Sequence, residues 1–184
     1  MNEFSLVNRA DAEVQRDIDG WLDKIREYLR VRFLNDIKRT LGTEFGDCIS
    51  KVIYLAERAI AEPDTFRGVR DVQGRLQAGA IVAPNLNYLD VDVFTNAPWN
   101  VLKNQPETIK GAATSLMEEL VNESFELGMM GRIKLTAIKR AKLFYTKIGL
   151  TEEEDNILSL ELTPTAARIF LSRQRSLRRN SSLS

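Results

Sequence analysis

The chain contains no histidine and only one cysteine among its 184 residues. Without histidine, the common zinc sites and the Ser-His and Cys-His nucleophile systems are excluded. The single cysteine, Cys48, cannot form an internal disulfide, and its helical apolar neighbours indicate a buried, inert thiol. Any chemistry must therefore use carboxylates, tyrosine, hydroxyls, lysine or backbone amides, and we expect no metal.

Long apolar runs and an excess of one charge are also missing. No segment approaches the ~18 apolar residues of a membrane-spanning helix, and no basic-then-apolar leader is visible, so we expect a cytoplasmic protein without membrane contact. Lysine plus arginine equals aspartate plus glutamate, at 26 residues each. This balance gives no reason to expect a nucleic-acid partner. The length suits a single domain.

The N-terminal third shows the three-and-four spacing of amphipathic helices. Residues 1–10 lack periodicity and are expected to form a loose arm. Residues 11–41 predict one long helix, or two with a break, ending at Gly42. Asp47 is a plausible N-cap for a second helix that continues through Ala61.

The apolar spacing then changes to the period of two that is typical of strands. Residues 67–72 and 76–82 predict a β-hairpin, and residues 88–95 predict a third strand. Asp90 and Asp92 fall on one face of that strand. Two aspartates on one face of a strand that is expected to be central need an explanation.

Helices and strands alternate in the remaining chain, which indicates a mixed α/β fold of packed helices and sheet. Residues 173–184 are rich in arginine and serine and are expected to be disordered. The predicted elements are a helix over 111–127, a strand over 132–138, a helix that carries Tyr145, an acidic turn over 152–155, a strand over 157–162 and a short helix after Pro164.

A possible anion site lies where the helix over 111–127 begins. Gly111 and two alanines leave the first backbone amides accessible, and Lys110 adds a positive charge. Free amides at the positive end of a helix dipole suit a phosphate. Taken alone, the small residues are more simply explained by close packing.

Two motifs in this part of the chain resemble those of the GNAT acyltransferase superfamily. Thr-x-x-Gly-x-Ala, from Thr108 to Ala113, resembles the family's Gln/Arg-x-x-Gly-x-Gly/Ala pyrophosphate loop. Ala-x-x-Phe-Tyr-x-x-x-Gly-Leu, over 141–150, resembles its Ala-x-x-Phe-Tyr-x-x-x-Gly-Phe helix. The similarity covers about residues 67–162. Thr108 departs from the family's Gln or Arg, and Ile138 stands where an Asn is frequent.

The resemblance implies a GNAT-like acyl-CoA N-acyltransferase fold, in which helices flank a central twisted mixed sheet. It implies one domain over 1–172, with a helical N-terminal part over 1–62 and a cofactor-binding core over 67–162. The helical start departs from the family, in which an initial strand is common. The sheet would splay between the third strand and the strand over 132–138 and receive acetyl-CoA there.

The implied activity is transfer of an acetyl group from acetyl-CoA to a primary amine by direct attack. Tyr145 would act as general acid towards the departing thiolate, although it could also be a core residue. Asp90 and Asp92 are candidate bases, because neighbouring like charges can raise one carboxyl pKa; a structural role is equally compatible. The implied cofactor-binding residues are Phe94, Thr95, Ala97, Lys110, Gly111, Ala112, Ala113 and Thr114.

The identity of the acceptor amine, a small molecule or a peptide, is left open, as is a homodimer. An alternative function is a CoA-binding or regulatory module that has lost transfer chemistry, which the atypical Thr108 and Ile138 motivate. A third hypothesis is a protein-interaction domain that uses the N-terminal helix and the arginine-rich tail.

Overall fold

A computed structural model describes residues 3–102, 104–153 and 156–181, with the backbone alone described at Ile157 and Ser181. Seven strands and six α-helices are present in these residues. The strands are β1 (Ser5–Val7), β2 (Phe66–Arg70), β3 (Leu76–Pro84), β4 (Leu89–Asn96), β5 (Ile133–Thr136), β6 (Thr151–Glu153) and β7 (Asn156–Leu162). The helices are α1 (Ala12–Phe33), α2 (Glu44–Ala61), α3 (Pro98–Val101), α4 (Ala112–Glu126), α5 (Lys142–Ile148) and α6 (Pro164–Ser181).

The strands are hydrogen-bonded in the order β1-β2-β3-β4-β5-β7-β6. β4 and β5 pair in parallel, whereas β1 with β2, β2 with β3, β5 with β7 and β6 with β7 pair antiparallel. A parallel pair needs a crossover connection, and α4 supplies it between β4 and β5. The mixed sheet with its helices confirms the predicted fold class.

Two compact units divide the chain. Of the described residues, those within Asn2–Ile81 and Val93–Leu116 form the N-terminal unit, and those within Val82–Asp92 and Met117–Ser184 form the C-terminal unit. Strands β3 and β4 contribute residues to both units. The single domain expected for residues 1–172 therefore stays a prediction.

The N-terminal unit has its core between α1, α2 and the strands that follow them. Burial of a large apolar side chain contributes about 1.5–3 kcal/mol, so this cluster is the main stabilising feature of the unit. The buried side chains of the cluster are Ala10, Val14, Ile18, Trp21, Ile25, Tyr28, Phe45, Cys48, Ile49, Val52, Leu55, Ala59, Phe66, Leu76, Ile81, Val93 and Ala97.

Trp21 fixes α1 to the elements that follow it. Its side chain is 1% exposed, and its Nε1–H donates to the Leu76 carbonyl oxygen at 3.2 Å. The bond satisfies the only polar atom of the buried indole. The ring also lies edge-on to Trp99 of α3, with centroids 6.3 Å apart.

Two N-terminal boundaries differ from the sequence prediction. α1 ends at Phe33, because Leu34 has a left-handed φ of 54° that stops the helix well before Gly42. Thr43, and not Asp47, is the N-cap of α2: its hydroxyl oxygen accepts the Gly46 N–H at 3.0 Å. Hydroxyl and carboxylate side chains are both good N-caps, so composition could not separate them.

The expected loose arm at residues 1–10 contains a strand instead. Ser5–Val7 pairs antiparallel with β2, placing Leu6 opposite Val69. The helical start described as a departure from the family is therefore corrected, since a strand precedes α1. Three residues of strand are too short to show a period of two in the sequence.

The C-terminal unit has its own set of buried residues on α4, α5, α6 and the strands β4, β5 and β7. No helix among residues 3–102, 104–153 and 156–181 is long and apolar enough to cross a membrane. The buried apolar residues of this unit include Leu89, Val91, Met117, Leu120, Val121, Ile133, Leu135, Tyr145, Ile148, Leu160, Leu162, Ala167, Phe170 and Leu171.

Helix α6 extends through Ser181, where a disordered tail was expected from residue 173. Arg178 of this helix forms an ion pair with Glu118 of α4, whose side chain is only 6% exposed. Burial raises the pKa of Glu118, and Arg178 opposes that rise. The basic composition thus serves a packed helix. Residues 182–184 and part of the predicted acidic turn, 154–155, lie outside the described residues.

We predict that Arg178→Met lowers the free energy of unfolding by about 2 kcal/mol at neutral pH, because it leaves a buried carboxylate without its charged donor. A carboxyl whose pKa is raised on folding contributes stability below its unfolded pKa and loses it as pH rises. The loss of unfolding free energy should therefore become smaller as the pH falls towards 4.5, the ordinary pKa of the Glu118 carboxyl. Urea denaturation at several pH values measures it. Arg173→Met, an exposed change on the same helix, should have little effect, and equal losses would contradict the assignment.

Candidate functional site

The first feature of the site is the way β4 ends. Its parallel pairing with β5 covers Leu89 to Val91, whereas the strand continues to Asn96. The Leu89 amide donates to β5's preceding residue, Arg132, and the Ala97 amide donates to Gln77 of β3. Ala97 directly follows the last residue of β4, so this second bond holds the segment after the strand.

The burial pattern along β4 changes after Asp92. Buried and more accessible residues alternate from Leu89 to Asp92, and then Val93, Phe94 and Thr95 are buried in succession. The second half of the strand therefore lacks an alternating exposed face.

Helix α2 contacts the end of β4 through two polar side chains. The Lys51 Nζ donates to the Phe94 carbonyl oxygen at 3.1 Å, and the Cys48 Sγ donates to the Asn96 carbonyl oxygen at 3.7 Å. Any ligand that pairs with Phe94 would have to share this carbonyl with Lys51, which the two lone pairs of the oxygen allow.

These two side chains lie in a largely apolar setting. Burial raises the pKa of the Cys48 thiol to about 12, and the side chain is 3% exposed. The predicted burial of this thiol is confirmed. Burial also lowers the pKa of Lys51, although the nearby Asp47 and Cys48 act in the opposite direction.

The second feature is the loop that leads into α4. Gly111 has φ +99°, a left-handed conformation that side-chain-bearing residues rarely adopt. Its carbonyl accepts the Ser115 N–H at 2.8 Å, which forms the first turn of the helix. Lys110 and Gly111 are exposed, whereas Ala112 is buried. The helix thus begins at the surface of the N-terminal unit.

A buried glutamine holds this loop in place. Gln77 of β3 is fully buried, and its Oε1 accepts the Trp99 Nε1–H and an Asn100 Nδ2–H, both at 2.9 Å. Its Nε2 donates to Asp71 at 2.7 Å. Buried polar groups of this kind are stable only when each has a partner.

The network continues to the residues that precede Gly111. Asn100 Oδ1 accepts the Ile109 N–H at 2.9 Å, and the Thr108 hydroxyl donates to the Trp99 carbonyl at 2.7 Å. Farther back, Glu107 forms an ion pair with Lys24 of α1 at 3.2 Å. The segment before α4 is therefore held by contacts at three consecutive residues, 107–109.

In the C-terminal unit, Asp90 of β4 is half-buried and Asp92 is exposed. Burial raises the pKa of Asp90, and the Asp92 charge raises it further, while Lys134 lowers it. Lys134 stands opposite Asp90 in the β4–β5 register and forms its ion pair with Glu153. The shift has the direction expected from two neighbouring carboxylates.

Tyr145 lies on α5 and is 3% exposed. Its ring meets that of Phe144 edge-on, with centroids 5.2 Å apart. Burial raises the pKa of the phenol, so the hydroxyl keeps its proton at neutral pH. The position is compatible both with a core residue and with a protonated donor.

Solved acetyltransferase structures have this arrangement of elements. A protein from Exiguobacterium sp. 255-15, assigned as an acetyltransferase, matches at 15% identity with a TM-score of 0.51, over 89% of this chain and 95% of that one. Tetrahymena GCN5 matches at 12% identity with a TM-score of 0.50, over 88% and 97%. The chain has the GNAT acyltransferase fold. No protein-family model matches the sequence, and no curated protein matches it significantly.

At such low identities the likeness shows the GNAT fold alone, and the residues of the site are judged by their own geometry. The predicted cofactor-binding residues, Phe94, Thr95, Ala97 and residues 110–114, all belong to the N-terminal unit. Asp90, Asp92 and Tyr145 belong to the C-terminal unit. Among the described residues, no group of three or more acidic or cysteine side chains could hold a metal ion.

Both departures from the GNAT motifs have local explanations. Thr108 replaces a Gln or Arg, and here its short hydroxyl closes the loop onto the Trp99 backbone. Ile138 replaces a frequent Asn and lies just before the 3-10 turn Lys139–Ala141.

Sequence reasoning missed Lys51, Gln77 and Asn100. Lys51 follows Cys48 by three residues and so lies next to the apolar stripe of α2, which is an unusual place for a lysine. Gln77 is likewise a polar residue in a strand whose other residues from Leu76 to Val82 are apolar or small. A search for polar residues inside apolar patterns could have found both, but their partners are distant in sequence.

We predict that Asn100→Ala lowers the free energy of unfolding by about 1–3 kcal/mol, because it leaves the Ile109 amide and the Gln77 oxygen with one partner fewer. The loop over 105–111 should also be cleaved faster by proteases. Asn180→Ala, an exposed change in α6, is the control. Unchanged stability and cleavage would show that the network does not hold the loop.

We also predict that Asp92→Asn lowers the pKa of Asp90, because it removes the second cause of its rise, and that Lys134→Met raises it. Carbon-13 NMR titration of the carboxyl groups measures both shifts. Asp19→Asn, in the exposed face of α1, should leave the titration of Asp90 unchanged. An Asp90 pKa that is insensitive to Asp92 would refute the coupling.

Proposed function

We propose that the protein is an N-acetyltransferase that transfers an acetyl group from acetyl-CoA to a primary amine. The observation that carries this proposal is the left-handed, exposed Gly111 that opens α4 on a loop clamped by Gln77 and Asn100. The sequence of that loop, from Thr108 to Ala113, resembles the pyrophosphate motif of the GNAT superfamily, and this resemblance supports the proposal.

The donor would be held mainly by backbone groups. The amides of residues 110–114 would bind the pyrophosphate, where the helix dipole favours negative charge and Lys110 adds a point charge. The end of β4, at Phe94, Thr95 and Ala97, would contact the pantetheine arm. Phosphate binding by amides explains how a chain with zero net charge could bind an anionic cofactor.

The transfer itself would need no covalent enzyme intermediate. The acceptor nitrogen attacks the thioester carbonyl carbon, the new C–N bond forms, and the C–S bond breaks to release CoA thiolate. Tyr145 would donate a hydrogen bond and then a proton to that sulfur. The raised pKa of Tyr145 keeps the phenol protonated and available as this donor.

A carboxylate would assist the acceptor amine, which must lose a proton. Asp90 is the better candidate base, because its raised pKa brings it closer to neutrality. Asp92 is exposed and would attract a cationic amine before it loses its proton.

A second candidate function is CoA binding without acetyl transfer. The 3% exposure of Tyr145 favours it, because so deeply buried a side chain is typical of a core residue. Measurement of binding and transfer in the same preparation separates the two functions.

We predict that acetyl-CoA and CoA both bind and raise the melting temperature, and that Tyr145→Phe lowers kcat by about 100-fold with little change in Kd. Isothermal calorimetry measures Kd, and thiol release with a panel of primary amines measures transfer. Tyr54→Phe, at an exposed position of α2, is the control.

Absence of binding to either ligand would contradict the proposed function as a whole. Binding without transfer to any amine would support the second candidate. Transfer that is equally fast in Tyr145→Phe would remove the tyrosine from the mechanism and leave the activity in place.

A further inference from the structure

An amine of the protein itself lies at the end of β4, where the proposed function places the pantetheine arm that carries the acyl group. The Lys51 Nζ is 3.1 Å from the Phe94 carbonyl oxygen. Cys48, one turn earlier on α2, contacts Asn96 in the same way. All four residues belong to the N-terminal unit, so the arrangement does not depend on the other unit.

The surroundings of Lys51 increase the neutral fraction of its amine. The residue is partly buried, and burial lowers its pKa against the opposing effect of Asp47 and Cys48. A neutral amine has a lone pair and is a nucleophile, whereas an ammonium group has none. A lysine shifts its pKa readily when it is buried, and buried lysines are often the reactive ones.

We propose that Lys51 is a site of self-acylation, at which the protein transfers the acetyl group of bound acetyl-CoA to its own lysine. This inference rests on the proposed function, because it needs acetyl-CoA bound with its pantetheine arm along the end of β4. Its chemistry differs from turnover with a free acceptor, since the product stays attached to the enzyme.

The step balances without a further reactant. The Lys51 Nζ lone pair attacks the thioester carbonyl carbon and forms a C–N bond. The C–S bond then breaks, its electron pair leaves on the CoA sulfur, and the proton lost by the nitrogen neutralises that thiolate. The products are Nε-acetyl-lysine and free CoA.

The hydrogen bond to Phe94 can form both before the reaction, with the amine, and after it, with the acetylated lysine. A neutral amine can donate one N–H to the carbonyl and still direct its lone pair elsewhere. The amide formed by acetylation keeps one N–H and can preserve the same bond. Acetylation also removes the charged form of a partly buried group, whose desolvation is unfavourable.

The experiment incubates the full-length protein with acetyl-CoA and follows acetylation by intact mass and peptide mapping. We expect one acetyl group, on Lys51, added about 10-fold faster than on the exposed Lys38, Lys139 and Lys147. The rate per molecule should not depend on protein concentration, because the reaction is intramolecular. Lys51→Arg, which keeps a donor for Phe94, should abolish this fast acetylation, whereas Lys38→Arg should not.

Calorimetric binding of CoA to the same samples separates the two proposals. Binding of CoA with Lys51 unmodified, or modified no faster than the exposed lysines, would overturn self-acylation and leave the proposed function standing. Failure to bind CoA would overturn both. Circular dichroism and the melting temperature of Lys51→Arg establish that it is folded, so that loss of acetylation in it counts as support.

Discussion

The requirement that a buried amide satisfy all its hydrogen bonds organises the N-terminal unit. Gln77 is fully buried, and its side chain joins the turn after β2 through Asp71 to the segment after β4 through Trp99 and Asn100. An unpaired buried amide costs about as much as several favourable contacts contribute. The segment that leads to Gly111 is therefore fixed by the need to partner one side chain, and the start of α4 depends on that segment.

The fold could be predicted largely because local patterns of apolar residues determine most of its helices and strands. Apolar spacing placed α1, α2 and α4 correctly, and the alternation around Asp90 placed β4. The order of two short motifs then led to the GNAT fold, which the solved structures confirm. Boundaries were less accessible to the sequence. The left-handed Leu34 and the N-cap at Thr43 reflect packing and local geometry that several residue types could adopt.

The candidate site was predicted less completely, because its supporting contacts join distant residues. The glycine of the loop is visible in the sequence, but the contact of Asn100 with Gln77 spans 23 residues. The contact of Lys51 with Phe94 spans 43 residues. Such pairs leave no local period, and only the fold brings them together. The sequence thus indicated which backbone segments could bind a ligand, but it did not reveal the side chains that hold those segments in place.

The ion pair between Glu118 and Arg178 has a consequence for the order in which the chain is made. The two residues are 60 positions apart, so the ribosome completes α4 well before it adds the arginine. Until then, the carboxylate cannot be buried without either a proton or a water shell. We therefore expect that the Glu118 side chain of α4 stays hydrated or protonated during synthesis and is buried as an ion pair only when α6 has been made.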